Sequence, residues 1–139
     1  MGTVSGETDL ARLLAGMRPE LDADIAWTFC ACGDAVPREL NAIATFREDE
    51  GWTAIARLED ALATGVRHEG TFARVTLAVH SSLAAVGFLA AVAQALAGRG
   101  IACNAVSAFH HDHLFVPIER AEETMAVLAA MQQASQGAD

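Results

Sequence analysis

The chain has 139 residues, a formal net charge of −9 and a hydrophobic content of 53%. That length suits one compact domain, or two half-size units sharing a sheet, and the apolar content is ample for a core, which excludes a disordered chain. The acidic balance argues against nucleic acid or an anionic membrane surface as a partner. In chain order, Met1 to Gly16 carries Glu7, Asp9 and Arg12 with no long apolar core, so no signal peptide is expected there. Thr8 is placed to cap a short helix with Leu10, Leu13 and Leu14 apolar, ended by Arg18-Pro19. Ile25 to Ala31 alternates Ile25, Trp27 and Phe29 against Ala26, Thr28 and Cys30, the pattern of a strand. Gly33 to Pro37 reads as a loop. Ala42 to Arg47 and Trp52 to Arg57 flank Asp49-Glu50-Gly51 as a hairpin, and Leu58 to Thr64 reads as a helix ending at Gly65. Gly65 to Gly70 is the best candidate boundary, and the two halves are taken as residues 1–68 and 69–139, with strands shared between them.

The second half is more regular. Thr71 to Val79 alternates Val75, Leu77 and Val79 against Arg74, Thr76 and Ala78 as a half-buried strand. From Leu83 to Ala97 the one polar side chain is Gln94, which predicts a helix capped by Ser81 or Ser82 and apolar on nearly all sides. A second helix or a second chain is expected to cover it. The stretch is too short for a membrane span, which needs about 20 residues. A strand turning into a helix presents free backbone N–H groups, which suit an anion such as a carboxylate. Gly98-Arg99-Gly100 ends the helix, and Ile101 to Phe109 reads as a strand. His111-Asp112 makes a turn, and His113 to Val116 forms another strand. Beyond Pro117 a helix spans Ile118 to Met131, with Ile118, Ala121, Met125 and Leu128 on one face. Strand–helix–strand–strand–helix is a ferredoxin-like unit lacking its last strand. Ile25 to Ala31 is the expected donor of that strand.

Three cysteines, Cys30, Cys32 and Cys103, give no even disulfide framework and read as reduced thiols of a cytoplasmic protein. His110-His111-Asp112-His113 holds three imidazoles and a carboxylate, a composition that suits zinc or nickel. No distant histidine lies in an obvious matching position, although His80 could approach in space, so a polar turn is preferred and no metal is expected. Ser81 and Ser82 lack a nucleophile-elbow setting, and there is no glycine-rich phosphate loop. No catalytic residues and no cofactor are therefore assigned.

Several segments together resemble the ACT domains, small-molecule sensor modules attached to amino-acid metabolic enzymes. They are His80-Ser81-Ser82 with Val86-Gly87-Phe88-Leu89, Gly100-Ile101-Ala102-Cys103-Asn104, and His113-Leu114-Phe115-Val116. The resemblance spans roughly Phe72 to Ala130 and is closest to the paired ACT domains of aspartate kinases and of arginine sensors. Phe46 to Thr53 looks like part of a partner ACT-like half. The resemblance implies an α+β, ferredoxin-like tandem, with a mainly antiparallel sheet and helices packed on one face. It implies a regulatory protein that binds a small molecule, an amino acid in type, without catalysis, along with a homodimer and a regulated partner protein. The implied ligand lies between the two halves, its carboxylate meeting backbone N–H groups around Ser81, Ser82 and Gly87, with His80, Val86 and Phe88 also at the site. The ammonium would meet Asn104, Ala105 and Val106, with Asp112 the acid nearby. The alternatives are an interaction module that keeps the fold without a ligand, and a metal-binding protein using the histidine turn.

Overall fold

The computed structural model describes residues 9–79 and 85–136. The expected caps at Thr8, Ser81 and Ser82 lie outside the described residues. Helix α1 (Leu10–Gly16) is capped by Asp9, whose carboxylate accepts the Arg12 N–H at 3.1 Å. After α1 come strand β1 (Pro19–Leu21), strand β2 (Trp27–Gly33) and a 3-10 turn at Arg38–Leu40. The hairpin β3 (Ala44–Glu48) and β4 (Gly51–Arg57) leads into α2 (Leu58–Thr64), which ends at Gly65 with φ 77°. That left-handed conformation suits glycine. Strand β5 (Arg67–Leu77) is followed by α3 (Phe88–Ala97), β6 (Asn104–Ser107) and β7 (Asp112–Pro117). A 3-10 turn at Ile118–Arg120 opens α4 (Ala121–Gln136). No helix among the described residues is long and apolar enough to cross a membrane.

The chain forms two compact units, one of residues 1–22 with 74–139 and one of residues 23–73. In the second, the strand order is β3-β4-β2-β5 and every pair is antiparallel. This is a ferredoxin-like order with the first crossover helix shrunk to the Arg38–Leu40 turn. Cys30, Leu40, Ala54, Ala56 and Ala61 form its core. In the first unit, β1 pairs with the end of β5, and β7 and β6 follow on the other side of β5. Helices α1, α3 and α4 pack on one another. Leu13, Met17, Leu77, Val92, Leu96, Leu114 and Leu128 are fully buried. Gln132 and Gln136 of α4 donate to the Ala15 carbonyl at 3.3 and 3.2 Å, satisfying an acceptor in the last turn of α1.

Several expectations need correction. The fourth strand beside the end of β5 is Pro19–Leu21, registered against Val75–Leu77, and not Ile25 to Ala31. Strand β2 does pair with β5, but at Arg67 to Phe72, inside the other unit. Helix α3 begins at Phe88, because Gly87 takes φ 88° and interrupts the apolar run that predicted a start at Leu83. It is also less uniformly apolar in space than in sequence. Phe88, Val92 and Leu96 are buried, whereas Ala90, Gln94 and Ala97 are exposed. Asp112 belongs to β7, and the reversal is Ala108 to His111, closed by the Ala108 N–H to the His111 carbonyl at 3.0 Å. The buried stripe of α4 is Ala121, Thr124, Val127 and Leu128, leaving Ile118 exposed before the helix.

Candidate ligand-binding site

Of the expected ligand contacts, His80, Ser81 and Ser82 lie outside the described residues. The remainder fall on two elements of the first unit. At the N-terminus of α3, Gly87 stands as the capping residue and no side chain among the described residues caps the helix. The first intrahelical bond is the Ala91 N–H to the Gly87 carbonyl at 2.9 Å, so the N–H groups of Phe88, Leu89 and Ala90 have no acceptor within the helix. Val86 is 84% exposed, whereas Phe88 is 3% exposed and points into the core. Phe88 can therefore offer a ligand its N–H but not its ring. Among the described residues, a Cβ on Gly87 would meet only Leu10 Cδ2, at 3.8 Å, although its φ disfavours any side chain.

The second element is β6, at the end of the strand order and bonded on one side to β7. Asn104 faces Phe115 across the ladder, and its side-chain amide reaches the Phe115 carbonyl at 3.5 Å, a long bond that a better acceptor can replace. Ala105 is exposed and Val106 half-buried. Asp112 pairs with Ser107 and is 7% exposed, so its carboxylate is largely withdrawn from solvent.

Sequence reading missed a polar cluster on the first unit's sheet. Arg74 Nε donates to Asp22 Oδ2 at 2.6 Å, and Thr76 Oγ1 lies 3.1 Å from His113 Nδ1. Burial, with help from the Arg74 and His111 charges, lowers the His113 pKa below 6.5 against the opposing pull of Asp112 and Asp22. His111 Nδ1 is buried without a hydrogen-bond partner among the described residues. The period-two alternation of β5 was the available signal for Arg74 and Thr76, but Asp22 and His113 join them through tertiary pairing. His110 stacks edge-on against Phe109 with centroids 5.0 Å apart, and no three His, Cys, Asp or Glu side chains converge as metal ligands among the described residues. Burial raises the pKa of all three thiols, with the Cys32 charge adding to the effect at Cys30, so none is an activated nucleophile.

An ACT domain family model matches residues 5–73, and a second ACT domain model matches residues 71–130. A protein of unknown function from Vibrio cholerae, described as a possible transport protein, is 40% identical with a TM-score of 0.80, over 89% of this chain and 96% of that one. A protein from Agrobacterium tumefaciens is 19% identical with a TM-score of 0.68, over 84% and 89% of the two chains. The regulatory subunit of aspartate kinase from Thermus flavus is 14% identical with a TM-score of 0.58, over 94% and 99%. The last two show a shared fold. No curated protein matches the chain. With both halves matched, the chain belongs to the ACT domain family and carries two ACT domains in tandem.

Proposed function

We propose that this chain is a regulatory module that binds a small amino acid-like ligand and catalyses no reaction of its own. The observation that carries the reading is the N-terminus of α3 at Gly87, where no side chain among the described residues caps the ten-residue helix, in a half of the chain that matches the ACT domain model. Its first N–H groups, which have no acceptor within the helix, suit a carboxylate, and the left-handed glycine lets the ligand approach the backbone closely. Asn104, whose amide nitrogen reaches the Phe115 carbonyl, would accept the ligand's ammonium on its side-chain oxygen, with Ala105 and Val106 beside it. Likeness in fold to a regulatory subunit of aspartate kinase supports the same role. In this reading the protein acts in the cytoplasm as a homodimer and passes ligand occupancy to a partner protein.

Thermal-shift screening of the standard amino acids tests the reading, because a ligand that prefers the native state raises its melting temperature. The expected result is one amino acid that stabilises the wild type and has no effect on Gly87→Trp, with circular dichroism confirming that the variant is folded. An amino acid that binds both proteins equally well would place the site elsewhere.

A further inference from the structure

The sheet face of residues 23–73 turned away from α2 carries an open hollow of about 550 Å³. Its floor is Ala31 on β2 and Thr53 on β4, which are directly paired. Trp27 and Phe29 are the other β2 residues on this face, and the hollow opens where the small Ala31 replaces such bulk.

One wall of the hollow is fixed. The Phe29 ring is held edge-on by Phe72, with centroids 5.3 Å apart and planes at 77°. Phe72 lies over Gly70, where a Cβ would stand 2.3 Å from its ring, and Gly70 has φ 84°. A register shift between Trp27 and Phe29 sets Glu69 opposite Phe29. Such a bulge re-aims side chains. The Thr28 hydroxyl, within bonding distance of the Glu69 and Gly70 carbonyls at 3.1 and 2.7 Å, pins it in place.

Three charges surround the floor. Arg67 is paired with Ala31, Glu69 with Phe29, and Glu48 accepts a hydrogen bond from the Thr53 hydroxyl. None of the three forms an ion pair among the described residues. One cation and two anions call for a ligand with one carboxylate and two cationic groups. Arg67 and Glu69 stand two residues apart on one strand, about 6.6 Å, which suits a carboxylate and an ammonium on adjacent carbons. Glu48 belongs to β3, three strand steps or roughly 14 Å of backbone away, with its carboxylate drawn in over the floor by Thr53.

We propose that this hollow binds a basic amino acid: its carboxylate on Arg67, its α-ammonium on Glu69, its methylene arm across Ala31 beside Phe29, and its terminal cation on Glu48. The site shares no residue with the α3 site and does not depend on it. Titration calorimetry of the whole chain with L-lysine, L-norleucine and 1,5-diaminopentane tests it. Lysine should bind saturably, and norleucine, lacking the terminal cation, and the diamine, lacking the carboxylate, should each bind about tenfold more weakly or worse. Arg67→Gln and Ala31→Leu change exposed residues outside the core, and each should weaken lysine by about tenfold or more, while Gly87→Trp leaves it unchanged. Absence of lysine binding at about 10 mM, equal binding of the three probes, or full affinity in both sheet variants overturns the proposal. Loss of lysine binding in Gly87→Trp but not in Arg67→Gln also overturns it, and assigns lysine to the α3 site instead.

Discussion

Thr28 shows how much a single hydroxyl can organise. It is fully buried, and its oxygen lies within bonding distance of two carbonyls where β5 departs from regular register. Thr28→Val keeps the shape and removes that donor, so the variant should lose about 1–2 kcal/mol. Urea unfolding should show a lower midpoint with an unchanged slope. His113 behaves differently, because its effect depends on pH. Its folded pKa is depressed by burial and by the nearby cationic groups, so the unfolded chain binds its proton first as pH falls. His113 should therefore cost no stability above its unfolded value near 6.5, and a growing amount as pH drops from there towards the folded value. His113→Gln should flatten the decline in urea midpoint between pH 7 and pH 5, and an equally steep decline in that variant would assign the titration to another group. The choice between Thr8 and Asp9 as the α1 cap was not legible, because both residue types cap helices well and the decision rests on one residue of phase.

Elements with a strong local period were legible in the sequence. Helix α2 and its Gly65 stop, the hairpin of β3 and β4, and the order of elements after Arg67 all follow from patterns within about ten residues. Of the candidate site, Gly87 was legible as a place of close approach, but its role in delaying the helix was not, since composition alone favours helix on both sides of it. The polar group around Arg74 and the hollow at Ala31 escaped notice because each depends on cross-strand register, which no single segment encodes. Strand β1 escaped for a related reason: three residues beginning with proline have no period, and their partner lies more than fifty residues later. The pairing can be tested. Bonds from Ala78 N–H to the Arg18 carbonyl and from Asp22 N–H to the Arg74 carbonyl flank the Glu20–Thr76 pair. Antiparallel alternation then places Glu20 in a hydrogen-bonded pair. Because the Glu20 side chain is exposed, Glu20→Ala should change stability by less than about 0.5 kcal/mol. Glu20→Pro removes the N–H and should cost about 1–3 kcal/mol in urea unfolding. Equal stability of the two variants would mean that β1 contributes no ladder bond at Glu20.

At the scale of the whole molecule, β5 is the element on which both ferredoxin-like orders depend. Its first residues are the fourth strand beside β2, and its last residues stand between β1 and β7. Neither unit has a complete sheet without it, and it runs without interruption from Arg67 to Leu77. Loss of one unit would strip β5 of its partners along half its length, so the two should unfold in one step. The chain supplies separate reporters for each unit. Both tryptophans, Trp27 and Trp52, lie within residues 23–73, whereas α1, α3 and α4, which dominate the helical signal, lie in the other unit. Tryptophan fluorescence and far-ultraviolet circular dichroism should therefore follow the same urea curve. Leu40→Ala in one unit and Leu128→Ala in the other remove fully buried side chains and should each cost about 2–5 kcal/mol. Each should move both curves together. If Leu128→Ala shifts the dichroism curve and leaves the fluorescence curve in place, the shared strand does not couple the units, and each ACT domain folds on its own account.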